Sequence, residues 1–177
     1  TPARRPDLQS ASAALEKRKT LENVTIPALR QMKRDGRKIV GVVAWDYQIA
    51  QIAERAGVDI VSVGDSVGAN LWGQPTETEV TMEEMLVVCK AVRRGVTRAL
   101  VSCDLPSGPV QEGAEASVSA AIRLAKEGGA DMVKINGVPD AVRAMVRAGI
   151  PVFAEFHGKQ VPAENLVEEA KRLEHAG

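Results

Sequence analysis

The sequence predicts an α/β fold: a parallel sheet arranged as a (β/α)8 barrel, with about the first five βα units present in these 177 residues. Three observations lead there. Short apolar runs alternate with amphipathic, helix-like segments, and no hairpin signal interrupts them. The runs are apolar on both faces, which is the mark of strands covered on both sides. Polar residues recur at the C-terminal end of successive runs: Asp46 and Tyr47, Asp65 and Ser66, Asp104, Lys134 and Asn136, then Glu155. In a barrel those ends converge on one rim, whereas strands far from the switch point of an open sheet have no need of them. Length alone favours the open sheet, because a barrel typically takes about 250 residues.

Each element has a local reason. Residues 1–24 read as an extension, loosely ordered or helical, and residues 25–177 as the barrel domain. In "TIPALRQMKR", Thr25 can cap a helix, Pro27 suits its first turn, and Asp35-Gly36 ends it. "KIVGVVA" is a near-continuous apolar strand over residues 38–44. A helix follows over residues 46–57, closed by Gly57, and "DIVSVG" is the second strand. Residues 67–80 exceed a typical βα connection and are expected to form a lid or substrate loop. Thr81 and Glu84 form a capping box for a helix to Gly95. "RALVSCDLP", "DMVKING" and "IPVFAEF" are the third to fifth strands, separated by helices over residues 115–129 and 138–149. The last helix ends in Ala176-Gly177, a signal that elsewhere in the chain precedes a strand, so a sixth strand is expected to follow.

Composition narrows the function. Lys plus Arg and Asp plus Glu both number 23, so no basic excess points to nucleic acid, and small molecules or copies of the chain are the expected partners. Cys89 and Cys103 lack CxxC spacing or a nearby His cluster, and read as buried free thiols in a reducing cytoplasm. No apolar run approaches a membrane span and no secretory signal opens the chain, which points to the cytosol.

The candidate chemistry lies at the strand tips. Asp65 and Asp104 each follow an apolar strand, in "VSVGD" and "LVSCD". Two such carboxylates repel unless a cation sits between them, and magnesium accepts one or two carboxylates plus waters and substrate oxygens. A helix- or turn-capping role is the alternative for each. Lys134 in "MVKING" is either a snorkelling strand-end lysine or a partner for a substrate carboxylate or enolate. Asn136, two residues on, shares its side of the strand. Glu155 is open between general base, ligand and ion-pair partner. Ser66 lacks a GxSxG setting and suits hydrogen bonding to substrate. Gly64 and Gly68 do not make a dinucleotide fingerprint. His157 and His175 carry no motif.

The stretches "AWDYQIAQIAERAGVDIVSVGDSVGANLWGQ", "VTMEEMLVVCKAVRRG", "CDLP" and "GGADMVKING" resemble the ketopantoate hydroxymethyltransferase family, over residues 25–156 in order. The resemblance implies a barrel of the phosphoenolpyruvate mutase and isocitrate lyase group. It implies Mg2+ and transfer of a one-carbon unit from 5,10-methylenetetrahydrofolate to 3-methyl-2-oxobutanoate, giving 2-dehydropantoate. It also implies a homo-oligomer. By the same resemblance Asp65 and Asp104 are metal ligands, with Asn136 near the metal. Asp65, Ser66, Asp104 and Lys134 contact the keto acid, Tyr47 is added to that set, and Lys134 and Glu155 are the catalytic candidates. The chain departs from the family at Asn136, where the family has glutamate, and at Glu155, which stands at the family's histidine position. The family's base is a glutamate that falls beyond Gly177. These departures keep open a related enzyme acting on another 2-oxo acid, or a carbon–carbon lyase, and a non-catalytic binding or assembly homologue.

Overall fold

The computed structural model describes residues 23–156 and 162–177. The N-terminal extension up to residue 22 and His157 lie outside the described residues. The chain opens with α1 (Ile26–Arg34), followed by β1 (Gly41–Val43), α2 (Tyr47–Ala56), β2 (Ile60–Val63) and α3 (Val67–Leu71). A 3-10 turn (Glu77–Glu79) leads into α4 (Met82–Gly95), β3 (Leu100–Asp104), α5 (Ser107–Glu112) and α6 (Ala114–Arg123). Then come β4 (Met132–Asn136), α7 (Pro139–Arg147), β5 (Val152–Glu155) and α8 (Leu166–Glu174).

The caps act as their residue types dictate. Thr25 Oγ1 accepts from Ala28 N at 3.2 Å, and Asp46 Oδ1 accepts from Ile49 N at 2.8 Å. Thr81 and Glu84 close the capping box in both directions, at 3.3 and 2.8 Å. Gly57, Gly129 and Gly149 take φ near 76–78°, the left-handed conformation that ends a helix and turns the chain into the next strand. Asp46 therefore serves as a helix cap.

Among the described residues the five strands are all parallel and ordered β1-β2-β3-β4-β5, with no reversal of the kind a doubly wound sheet requires. The sheet's two faces differ. Val61, Val63, Val101, Cys103, Val133 and Ile135 point one way and are almost wholly buried against the helical layer, together with Met85, Val92 and Leu124. The other face has rows set by the register: Val43, Ser62, Ser102 and Met132 in one, then Asp104, Lys134 and Phe153, then Asn136 and Glu155. This second face is apolar toward the strands' N-terminal ends, where α1 contributes Ile26 and Leu29, and polar toward their C-terminal ends.

Three expectations change. The first strand is three residues long rather than seven, and Val42 and Val43 stay 39% and 48% exposed, because β1 pairs on one side only among the described residues. The stretch 67–80, expected as a lid or substrate loop, carries regular structure: α3 and a 3-10 turn occupy much of it, with Gly68 packed directly under Gln74 and Val80. And α5 was hidden by its Gly108-Pro109, residues that read as helix breakers but that sit in its first turn, where proline is tolerated.

Candidate active site

β2, β3, β4 and β5 end along one edge of the sheet, and their tips line a cavity of about 590 Å³. Asp65 and Ser66 follow β2, Asp104 closes β3, Lys134 and Asn136 end β4, and Glu155 ends β5. The parallel register accounts for the grouping, since Asp104 pairs with Lys134 and Asn136 with Glu155. Seven of the sequence-nominated groups are thereby sorted: Asp65, Ser66, Asp104, Lys134, Asn136 and Glu155 share one cavity, and Tyr47 does not line it. Tyr47 stands exposed at the start of α2, its hydroxyl accepting from Gln51 Nε2 at 2.8 Å.

Lys134 is the hub. Its Nζ lies 3.0 Å from Asp104 Oδ2 and 2.5 Å from Glu155 Oε1. Asp104 Oδ2 also accepts from the Asp65 backbone N–H at 3.4 Å, which ties the tip of β2 to that of β3. Asp104 is 7% exposed, and its second oxygen, Oδ1, is buried with no hydrogen-bond partner among the described residues. A buried carboxylate oxygen without a partner is costly unless something positive meets it.

The electrostatics follow from burial. Loss of solvent pushes the Asp104 carboxyl up to about 7; Lys134 opposes this, and Asp65 and Glu155 add to it by repulsion. Asp65 is also raised, first by burial and then by Glu77, with Lys134 and Asp104 pulling the other way. Burial pulls the Lys134 ammonium down, but Asp104 and Glu155 outweigh it and hold the group above its ordinary value.

Glu77 and Thr78, on the 3-10 turn within the stretch 67–80 expected as a lid or substrate loop, line the cavity without having been singled out, and so do Ser107 and Gln111 on α5, for which the sequence carries no indication. The 3-10 turn lies well beyond the tip of β2, and α5 begins three residues after Asp104, so none of these residues stands at a strand tip itself. Cys89 and Cys103 are buried and unbridged, as expected. Among the described residues no helix is long and apolar enough to cross a membrane.

Fold and cavity together define a parallel α/β protein with a polar-lined cavity beyond the carboxyl ends of its strands, where proteins of this class bind small molecules. The chain belongs to the ketopantoate hydroxymethyltransferase family, whose family model matches residues 23–158. The 3-methyl-2-oxobutanoate hydroxymethyltransferase of Cyanothece sp. is 41% identical over 174 residues, covering 87% of this chain and 67% of the relative. Relatives of this name are hydroxymethyltransferases, so the family is one of enzymes. The fold is similar to that of phosphonopyruvate hydrolase, solved as a complex with oxalate and Mg2+ (TM-score 0.66, 16% identity, 85% of this chain and 59% of that one). It is similar also to 2,3-dimethylmalate lyase, a member of the PEP mutase/isocitrate lyase superfamily (TM-score 0.65, 19% identity, 85% and 60% covered). The chain thus spans about two thirds of the curated relative and about three fifths of either solved neighbour.

Proposed function

We propose that the protein transfers the one-carbon unit of 5,10-methylenetetrahydrofolate to C3 of 3-methyl-2-oxobutanoate, with water supplying the hydroxyl oxygen and tetrahydrofolate released, giving 2-dehydropantoate. The observation that carries this reading is the buried, unpartnered Oδ1 of Asp104 beside Asp65 in a strand-tip cavity. Among the described residues no three His, Cys, Asp or Glu side chains gather as a complete metal-ligand set. Two carboxylates fit Mg2+ even so, because this ion keeps waters and substrate oxygens as its remaining ligands. Asp65 and Asp104 would hold it, with Asn136 offering an amide oxygen at the rim; when bound, it supplies charge to the keto acid's oxygens and makes the adjacent C–H more acidic.

The chain's own groups bind and orient the keto acid. Lys134 presents an ammonium, fixed by Asp104 and Glu155, to the carboxylate or enolate oxygen of the substrate. The Ser66 hydroxyl lines the same cavity and is available as a donor. Glu155 is engaged by Lys134, which supports a role in orienting that lysine. Leu105 and Val110 give the cavity an apolar wall suited to a branched aliphatic side chain. We read the sheet as an arc of a (β/α)8 barrel, which the unbroken strand order supports. Homo-oligomerisation belongs to the same reading and is supported by exposed Ile49, Ile52 and Val87 on α2 and α4.

A second reading, a related enzyme acting on another 2-oxo acid, is favoured by one feature: Asn136 and Glu155 stand as a register pair at the rim, giving it its own polar pattern. Deuterium exchange at C3 of 3-methyl-2-oxobutanoate, followed by NMR with Mg2+, tests the first. Exchange is expected in the wild type and is expected to be lost in Asp65→Ala and Asp104→Ala. Exchange that persists undiminished in either variant counts against the site. Exchange of other 2-oxo acids but not of this one favours the second reading.

A further inference from the structure

We infer that Glu77 is a charge filter at the mouth of this cavity, selecting 2-oxo acids with a single carboxylate against those carrying a second one on the side chain. The inference rests on the proposed keto-acid site and adds to it a specificity determinant on an element that no strand-tip motif includes. Four carboxylates line the cavity, those of Asp65, Glu77, Asp104 and Glu155, and Lys134 is the one cation among the described lining residues. That cation is already shared by two carboxylates, at 3.0 and 2.5 Å. Asp65 and Asp104 serve the proposed cation, and Glu155 serves Lys134. Glu77 has no such task. It sits on the 3-10 turn at the rim, close enough for its charge to be felt by Asp65.

A monocarboxylic 2-oxo acid brings its negative charge to the Lys134 end and lays its alkyl group against Leu105 and Val110. A dicarboxylic one brings a second charge and finds no free cation to receive it, only Glu77 at the rim. The contrast is with the fold's other users, one of which, 2,3-dimethylmalate lyase, bears a dicarboxylate in its name. Two like charges about 7 Å apart in a water-rich opening weaken binding by roughly three- to sevenfold.

The test measures binding of 3-methyl-2-oxobutanoate and 2-oxoglutarate to the Mg2+-loaded protein by calorimetry, in the wild type, Glu77→Gln, Glu77→Asp and Glu77→Lys. Glu77 is exposed, so these variants are expected to fold. The wild type is expected to prefer the monocarboxylate. In Glu77→Gln the ratio of the two affinities should narrow by roughly three- to sevenfold, and in Glu77→Lys by about tenfold or more. Glu77→Asp should keep the wild-type ratio, and added salt should shrink the wild-type preference but not that of Glu77→Gln. A ratio unchanged in Glu77→Gln and Glu77→Lys, with the monocarboxylate still bound, overturns the filter and leaves the keto-acid site standing. A wild type that binds neither acid with Mg2+ overturns both.

Discussion

Replacing Lys134 by Met removes the hub of the site while keeping its length and its apolar stem. In the wild type the ammonium lies between Asp104 and Glu155, and the lysine and Asp104 side chains are only 17% and 10% exposed. Breaking a buried pair by deleting one partner costs about 3–5 kcal/mol, because the remaining charge is stranded. The Glu155 half of the bridge is 38% exposed and screened by water, so it contributes little of this. Asp104 can escape part of the cost by taking up a proton, and this gives the effect a pH signature. Its carboxyl is already raised from 3.8 to about 7. A raised carboxyl contributes stability that is complete below its ordinary value and is lost as pH rises through the folded value. Without Lys134 the folded value climbs further, so the loss extends to higher pH. Lys134 itself, held above 10.5, stays charged throughout the neutral range in the wild type. In chelator-treated protein, urea titration is expected to show Lys134→Met destabilised by about 3 kcal/mol near pH 8.5 and by about 1 kcal/mol near pH 5.5. A deficit that is equal at both pH values, or larger at the acid one, would refute the claim that Lys134 compensates buried carboxylates.

Two further predictions test the frame that positions the site. A Cβ added at Gly95 lies 2.8 Å from the Tyr47 carbonyl oxygen and 2.9 Å from Ala50 Cβ, so Gly95→Ala should force α2 and α4 apart and lower stability by about 1–3 kcal/mol, measured by thermal unfolding. Glu54 accepts from the Thr97 hydroxyl at 2.9 Å and from Arg98 N and Ala99 N at 2.6 and 3.1 Å, linking α2 to the entry of β3. Burial raises its carboxyl, but the backbone hydrogen bonds outweigh that and hold it below its ordinary value. Its stabilisation is therefore complete above pH 4.5 and lost as pH falls through the depressed folded value. Glu54→Gln should flatten that acid limb of the stability profile, and an unchanged limb would contradict the assignment.

The helices were legible because their ends carry local chemistry: Thr25 and the Thr81–Glu84 box start two of them, and Gly57 and Gly129 mark the ends of two others. The strands were legible because all but the edges are buried on the helical side, leaving apolar runs. The cavity was legible as far as strand tips could say, since Asp65, Asp104, Lys134 and Glu155 interrupt such runs. What the sequence hid depends on contacts between distant residues. The turn carrying Glu77 takes its shape from Gly68 packing under Gln74 and Val80. β1 looked like a buried strand because composition does not reveal how many neighbours a strand has. Asp46 and Tyr47 carried the strand-tip pattern, but one caps α2 and the other faces outward, a distinction of direction that spacing does not encode.

The central claim is that Asp65 and Asp104 form one cation site. The most direct measurement is Mn2+ binding followed by electron paramagnetic resonance, with 3-methyl-2-oxobutanoate present, in the wild type and in Asp104→Asn. A bound-ion signal is expected in the wild type, with a dissociation constant that rises at least about tenfold in the variant, which loses a charged ligand. Equal affinity in the two proteins, or no bound ion in the wild type, would contradict it.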